Sequence, residues 1–230
     1  MNTRMMNRLK VAALSVALPL ASLTSAYGAV SLNFNLPDNT YEDYILNYYN
    51  GGADGHGAIG PNYGIVFGPD ALSLLNYPLS NVSSEPDGGN SSMIFLSGSG
   101  DLMDVAAGFT TGFSFYYSAP YYTGSVTVYS GLDGTGSLLA TLNLPETPAG
   151  SPANYSVWEP VGVSFAGTAE SVNFSGTANY IAFADVTLGS VNPQIGNNVP
   201  DNTGASIYLL AALGLAGAAW ASRKQGIAAI

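Results

Sequence analysis

Residues 11–222, 212 in all, contain no Lys or Arg, and all fifteen Asp and Glu residues of the chain lie among them. The five cations sit at the two ends, with Arg4, Arg8 and Lys10 in front and Arg223 and Lys224 behind. Each group abuts a short apolar run, Val11 to Leu23 at the front and Ile207 to Ala221 at the back. Cations beside an apolar segment stay on the cytoplasmic side of a membrane, because moving them across is costly and the inner leaflet is anionic. The layout predicts an acidic folding body, delivered outside, between two terminal processing signals.

Residues 1–28 read as a secretory signal peptide. A basic start leads into 13 apolar-rich residues broken by Ser15, Pro19 and Ser22, then small residues around Ala26-Tyr27-Gly28, with cleavage expected after Gly28 or, second, after Ala26. The run is too short for an anchor, since about 20 apolar residues are needed to cross ~30 Å of hydrocarbon. Its partners would be the Sec translocon and signal peptidase. At the other end a polar linker, 193–206, precedes one apolar helix, 207–222, and a basic cytoplasmic tail, 223–230. At ~1.5 Å per residue the stretch from Gly204 to Ser222 reaches about 28 Å, barely one bilayer. Its Ala and Gly lining weakens insertion further, which suits an extractable or cleavable membrane segment stopped by Arg223 and Lys224.

The body, 29–192, has the length of one domain and can bury a core without staples. There is no cysteine, so packing, backbone pairing or a bound metal must hold it. A body with no cation has no footprint for phosphate backbones, which excludes nucleic acid as a partner. Apolar and polar residues alternate between turn residues, and helical periodicity is scarce. About eleven short strands are expected, the clearest in Thr111 to Tyr117, where Phe113 and Phe115 share a face, and in Ser125 to Tyr129, where Val126 and Val128 do. Gly131-Leu132-Asp133-Gly134-Thr135-Gly136 supplies hairpin turn residues. Tyr41 to Tyr48 fits a helical turn or an edge strand. The fold class expected is all-β, an antiparallel two-sheet β-sandwich of jelly-roll type.

Catalysis is disfavoured: there is no Cys, one His and no Gly-x-Ser-x-Gly elbow. His56 lies among glycines and is expected to be a solvent-exposed, mobile loop residue; zinc lacks ligands. Two carboxylates suffice for a glycosidase, but no spacing selects a pair. Calcium is the metal that this oxygen-rich composition could hold, and the Asn50 to Asn62 loop offers Asp54 among many glycine carbonyls. Sugar binding would use exposed aromatic planes, for which Tyr121, Tyr122 and Trp158 are the candidates. Of the adjacent Tyr116 and Tyr117, one should face inward and the other outward.

Val199, Pro200 and Asp201, followed by small polar residues, an apolar helix and a basic cluster, resemble the PEP-CTERM group of bacterial sorting tails, especially its Val-Pro-Asp (VPDSG-CTERM) variant. The resemblance covers Val199 to Lys224. It implies a tail recognised and cut by an exosortase, and a body handed to the cell surface or matrix of an exopolysaccharide-producing bacterium. A eukaryotic lipid-anchor signal would end in its apolar run, whereas this one is stopped by Arg223-Lys224. Val105 to Ser118, Val126 to Gly136 and Tyr180 to Gly189 resemble the ectodomain common among such proteins, which is similar to galactose-binding and carbohydrate-binding-module jelly rolls. That resemblance implies a structural calcium ion on Asp185, shared with the N-terminal segment.

Overall fold

The computed structural model describes residues 29–195, which form twelve strands and, among the described residues, no helix. The first six are β1 (Val30–Leu32), β2 (Glu42–Tyr44), β3 (Ile65–Phe67), β4 (Ala71–Leu75), β5 (Ser91–Phe95) and β6 (Gly100–Phe109). The last six are β7 (Gly112–Ser118), β8 (Gly124–Tyr129), β9 (Leu138–Leu144), β10 (Glu159–Ser164), β11 (Ala169–Ser175) and β12 (Ala182–Leu188). Every pairing between these strands is antiparallel.

Two sheets result. The larger runs β10-β7-β12-β5-β4-β2, with β1 also paired to β12; the smaller runs β3-β6-β11-β8-β9. Phe113 and Phe115 of β7 and Phe183 of β12 reach across to Phe174 of β11, with Phe174 and Phe183 centroids 5.0 Å apart. All four rings are fully buried. Edge-on aromatic contact of this kind joins the two sheets into a sandwich over one apolar core.

The larger sheet is also buried on its outer face. Leu72, Leu74, Ile94 and Ala182 meet Val82 and Tyr155 there, from two loops joined by a Val82–Tyr155 bridge, with Trp158 packed alongside. This explains why β12 and β5 are buried at every position instead of alternating. The edge strands differ: β10 carries Pro160, tolerated where no outer neighbour needs its missing N–H, and β2 buries only Asp43.

The 131–136 turn joins β8 to β9 as the sequence predicts, with Asp133 and Gly134 at positive φ (56° and 67°). Tyr41 to Tyr48 divides between its two expected forms, the edge strand β2 followed by tight turns. β6 is the longest strand, and its irregularity against β11 falls near Gly108, whose φ is 69°. The carboxylate of Asp43 starts a cross-strand row through Ser73, Met93, Phe183 and Tyr117 to Glu159. That row runs the full width of the sheet, so the two candidate sites below lie several strands apart, at ~4.8 Å per strand.

Candidate functional site

At the β2 edge, Asp43 points inward from a strand whose neighbours Glu42 and Tyr44 are exposed. The chain then turns into a hairpin-like loop closed by bridges Asn50–Asn62 and Ala53–Ile59. Asp54 lies in this loop, and its Oδ1 accepts from the amides of Ala58 (2.8 Å) and His56 (3.0 Å), which sets the tip. Gly55 donates its N–H to Tyr44 O at 2.8 Å, and a Cβ there would fall 2.8 Å from Asp43 Oδ1. Only glycine lets the loop approach β2 this closely. Asp38, from the β1–β2 connection, completes a group of three carboxylates with one oxygen each, all within 4.8 Å of one another.

His56 lies at the tip of this loop. Its side chain is half exposed, but its backbone is tied to Asp54 and its Nδ1 lies 2.9 Å from Asp43 Oδ1. This contact raises the imidazole pKa. The carboxyl of Asp43 is nevertheless raised, because burial and the Asp54 charge outweigh the imidazole. The two directions together describe a hydrogen bond at the edge of a buried acid more than a strong ion pair. The structure brings Asp54 together with Asp38 and Asp43, which sequence reasoning did not select. Asn50 and Asn62 instead form the loop stem. No spacing in the sequence announces that trio, because three separate segments supply it.

At one end of the larger sheet, Tyr121 and Tyr122 lie in the β7–β8 loop and are 43% and 46% exposed. Tyr180, 39% exposed, joins them from the β11–β12 loop, edge to face, with its ring centroid 4.7 Å from that of Tyr122. Tyr121 also meets Tyr180 and, below, the buried Tyr155. Both loops are anchored. Ala119 and Thr147 exchange two hydrogen bonds, and Asn179 donates from its backbone to Phe95 O and from its side chain to Leu96 O. Burial pushes the Tyr155 hydroxyl pKa up, so it stays protonated. β12 begins only at Ala182, which leaves Tyr180 in the loop for this rim.

Trp158 lies partly buried against the outer-face cluster, and its Nε1–H donates to Ser83 O at 2.9 Å. Asp185 is fully buried in β12, at φ 49°, where the strand shifts register against β7 while β1 pairs beside it. It is not part of the carboxylate trio. Tyr117 is buried and Tyr116 partly exposed, as alternation requires. Two other buried acids serve loops: burial pushes Glu85, which accepts from Asn76 Nδ2, up to about 7, and Asp101, which accepts from the Asp70 amide, up to about 6.

The signal peptide, the sorting motif Val199, Pro200 and Asp201, the apolar helix and the stop at Arg223 and Lys224 lie outside the described residues. Among the described residues no helix is long and apolar enough to cross a membrane. Gln194 is still tied to the body, accepting from Ser31 and donating its amide to Thr187 Oγ1.

No family model matches this chain, and no curated protein does. Among solved structures it is similar in part to a glycoside hydrolase family 43 arabinoxylan arabinofuranohydrolase from Bacillus subtilis, at 19% identity and a TM-score of 0.36. That match covers 59% of this chain and 32% of the hydrolase, so the chain spans about a third of that enzyme's length. It is also similar to a family 6 carbohydrate-binding module (18% identity, TM-score 0.32, 47% of this chain and 79% of the module). A third is the C-terminal family 6 module of LamC from Zobellia galactanivorans (15%, TM-score 0.29, 47% and 86%).

Proposed function

We propose that this chain is an exported, noncatalytic jelly-roll protein of the bacterial surface or matrix, sorted by an exosortase through Val199-Pro200-Asp201 and associated with a neutral polysaccharide. The observation that carries the binding half is the tyrosine rim. Three exposed rings from two anchored loops offer apolar faces and hydroxyls to a sugar chain, and they are held before any ligand arrives. Neutrality follows from charge: fourteen acids and no Lys or Arg lie in residues 29–195, so an anionic glycan would be repelled.

The sorting half rests on the cation layout and the tail motif. Protease accessibility of the body in whole cells, with mass mapping of both termini, tests it; a full-length chain in the cytosol would overturn it. A glycan array tests the binding half. Neutral glycans should bind, with at least a tenfold weakening in Tyr122→Ala and in Tyr180→Ala. Equal binding by the variants would refute the rim as the site. A purely structural role is the alternative, and it is favoured if no neutral glycan binds at all.

A further inference from the structure

We propose that Asp38, Asp43 and Asp54 form a calcium site that clamps the 50–62 loop onto the edge strand β2. The three carboxylates come from three separate segments, and one oxygen of each lies within 4.8 Å of the others. Oxygens that share one ion at 2.3–2.6 Å are at most about 5 Å apart, so this spacing suits a common calcium ligand set.

The second observation is orphaned polarity. Asp43 and Asp54 are 1% and 5% exposed. Asp54 spends Oδ1 on the amides of His56 and Ala58, while its buried Oδ2 receives no hydrogen bond among the described residues; the same holds for Oδ2 of Asp43. Buried carboxylate oxygens without donors are rare, and coordination of a cation is one of their usual causes. Among the described residues, His56 is the one side chain that can carry positive charge. Residues 29–195 hold no Lys or Arg, and the half-exposed His56, 2.9 Å from Asp43 Oδ1 and within electrostatic reach of Asp38 and Asp54, offers at most one positive charge against three carboxylates.

The chemistry selects calcium over its rivals. Three carboxylates provide up to six hard oxygens in an irregular cluster, which calcium accepts with water completing the shell, whereas magnesium demands near-ideal octahedral geometry. Zinc prefers nitrogen and sulfur, and a single imidazole is the only such group here. The ion would secure a loop that matters to the core, since Tyr49 at its base is buried and its hydroxyl accepts from the Phe34 amide at 3.0 Å.

The test uses the full chain, purified in mild detergent and stripped with EGTA. Calcium should bind at one ion per chain and raise Tm by about 5–10 °C when present at a hundredfold excess over Kd. It should also protect residues 50–62 from limited proteolysis at least tenfold. Asp54→Asn keeps an acceptor for both loop amides and should lose at least tenfold in calcium affinity; the exposed Asp38→Asn is a second variant that spares the interior. Tyr122→Ala should bind calcium as the parent does. No calcium effect up to 10 mM overturns the proposal. So does an effect undiminished in both Asp variants, which would move the ion elsewhere, for example to Asp185. Tight zinc binding lost in His56→Ala, with no calcium response, overturns it as well.

Discussion

The tyrosine rim and the acidic edge are both built from loops of the larger sheet, yet they handle burial in opposite ways. The rim seats half-exposed rings on the buried Tyr155, whose surroundings are apolar, so its stability is that of the outer-face cluster itself. At the β2 edge, two carboxylates are held away from water beside one imidazole, and burial works against the charge of Asp43. A contact surface can therefore be assembled from the same forces as the core, whereas a buried acidic cluster works against desolvation and is stabilised by a countercharge.

Several measurements would break or sharpen that contrast. The largest expected effect is at the floor of the rim: Tyr155→Ala should destabilise by about 3–5 kcal/mol in chemical denaturation, as loss of a buried aromatic ring does. A value no larger than that of Tyr122→Ala would separate the rim from the outer-face cluster.

Glu85 supplies the second comparison, a buried acid with an Asn partner and no carboxylate cluster. Its pKa is raised from 4.5 to about 7, chiefly by burial, with Asp87 adding to the rise and Asn76 opposing it. The folded protein keeps the proton where the unfolded chain has lost it. Stability should thus fall as pH rises from about 4.5 to about 7, by on the order of 3 kcal/mol, and be level above. Glu85→Gln should flatten that part of the pH–stability profile measured by urea denaturation; a slope unchanged in the variant would assign it to Asp101 or another group.

Gly55→Ala tests the close approach at the acidic edge. The new Cβ would meet Asp43 Oδ1 at 2.8 Å and Tyr44 Cβ at 3.0 Å, so a loss of about 1–3 kcal/mol is expected, together with weaker calcium binding. Wild-type stability and affinity in this variant would show that the loop does not need to sit so close. The smallest effect is at the rim surface. Tyr122→Ala should cost about 1 kcal/mol, the worth of its edge-to-face pair with Tyr180, while weakening glycan binding at least tenfold.

Much of the fold was legible because strand chemistry is local. The shared inward face of Phe113 and Phe115, that of Val126 and Val128, the 131–136 turn and the opposed Tyr116 and Tyr117 all follow from a period of two and from residues that tolerate positive φ. The pair Tyr121-Tyr122 was visible for the same reason, being adjacent in the chain. Tyr180, far from that pair in the chain, gave no such signal. Asp38 and Asp43 gave no signal at all, since their proximity to Asp54 depends on the pairing of β2 with β4 and on the return of the 50–62 loop.

The sequence by itself determined the polarity of the chain, cationic at its ends and acidic between, and the alternation that commits its middle to antiparallel sheets. Tertiary structure alone decided which faces of the larger sheet are covered, which rings share a rim and which acids meet. The reason is range: side-chain alternation and turn chemistry act over a few residues, whereas the meeting of Asp38, Asp43 and Asp54 depends on register across a sheet edge, which no short window of sequence contains.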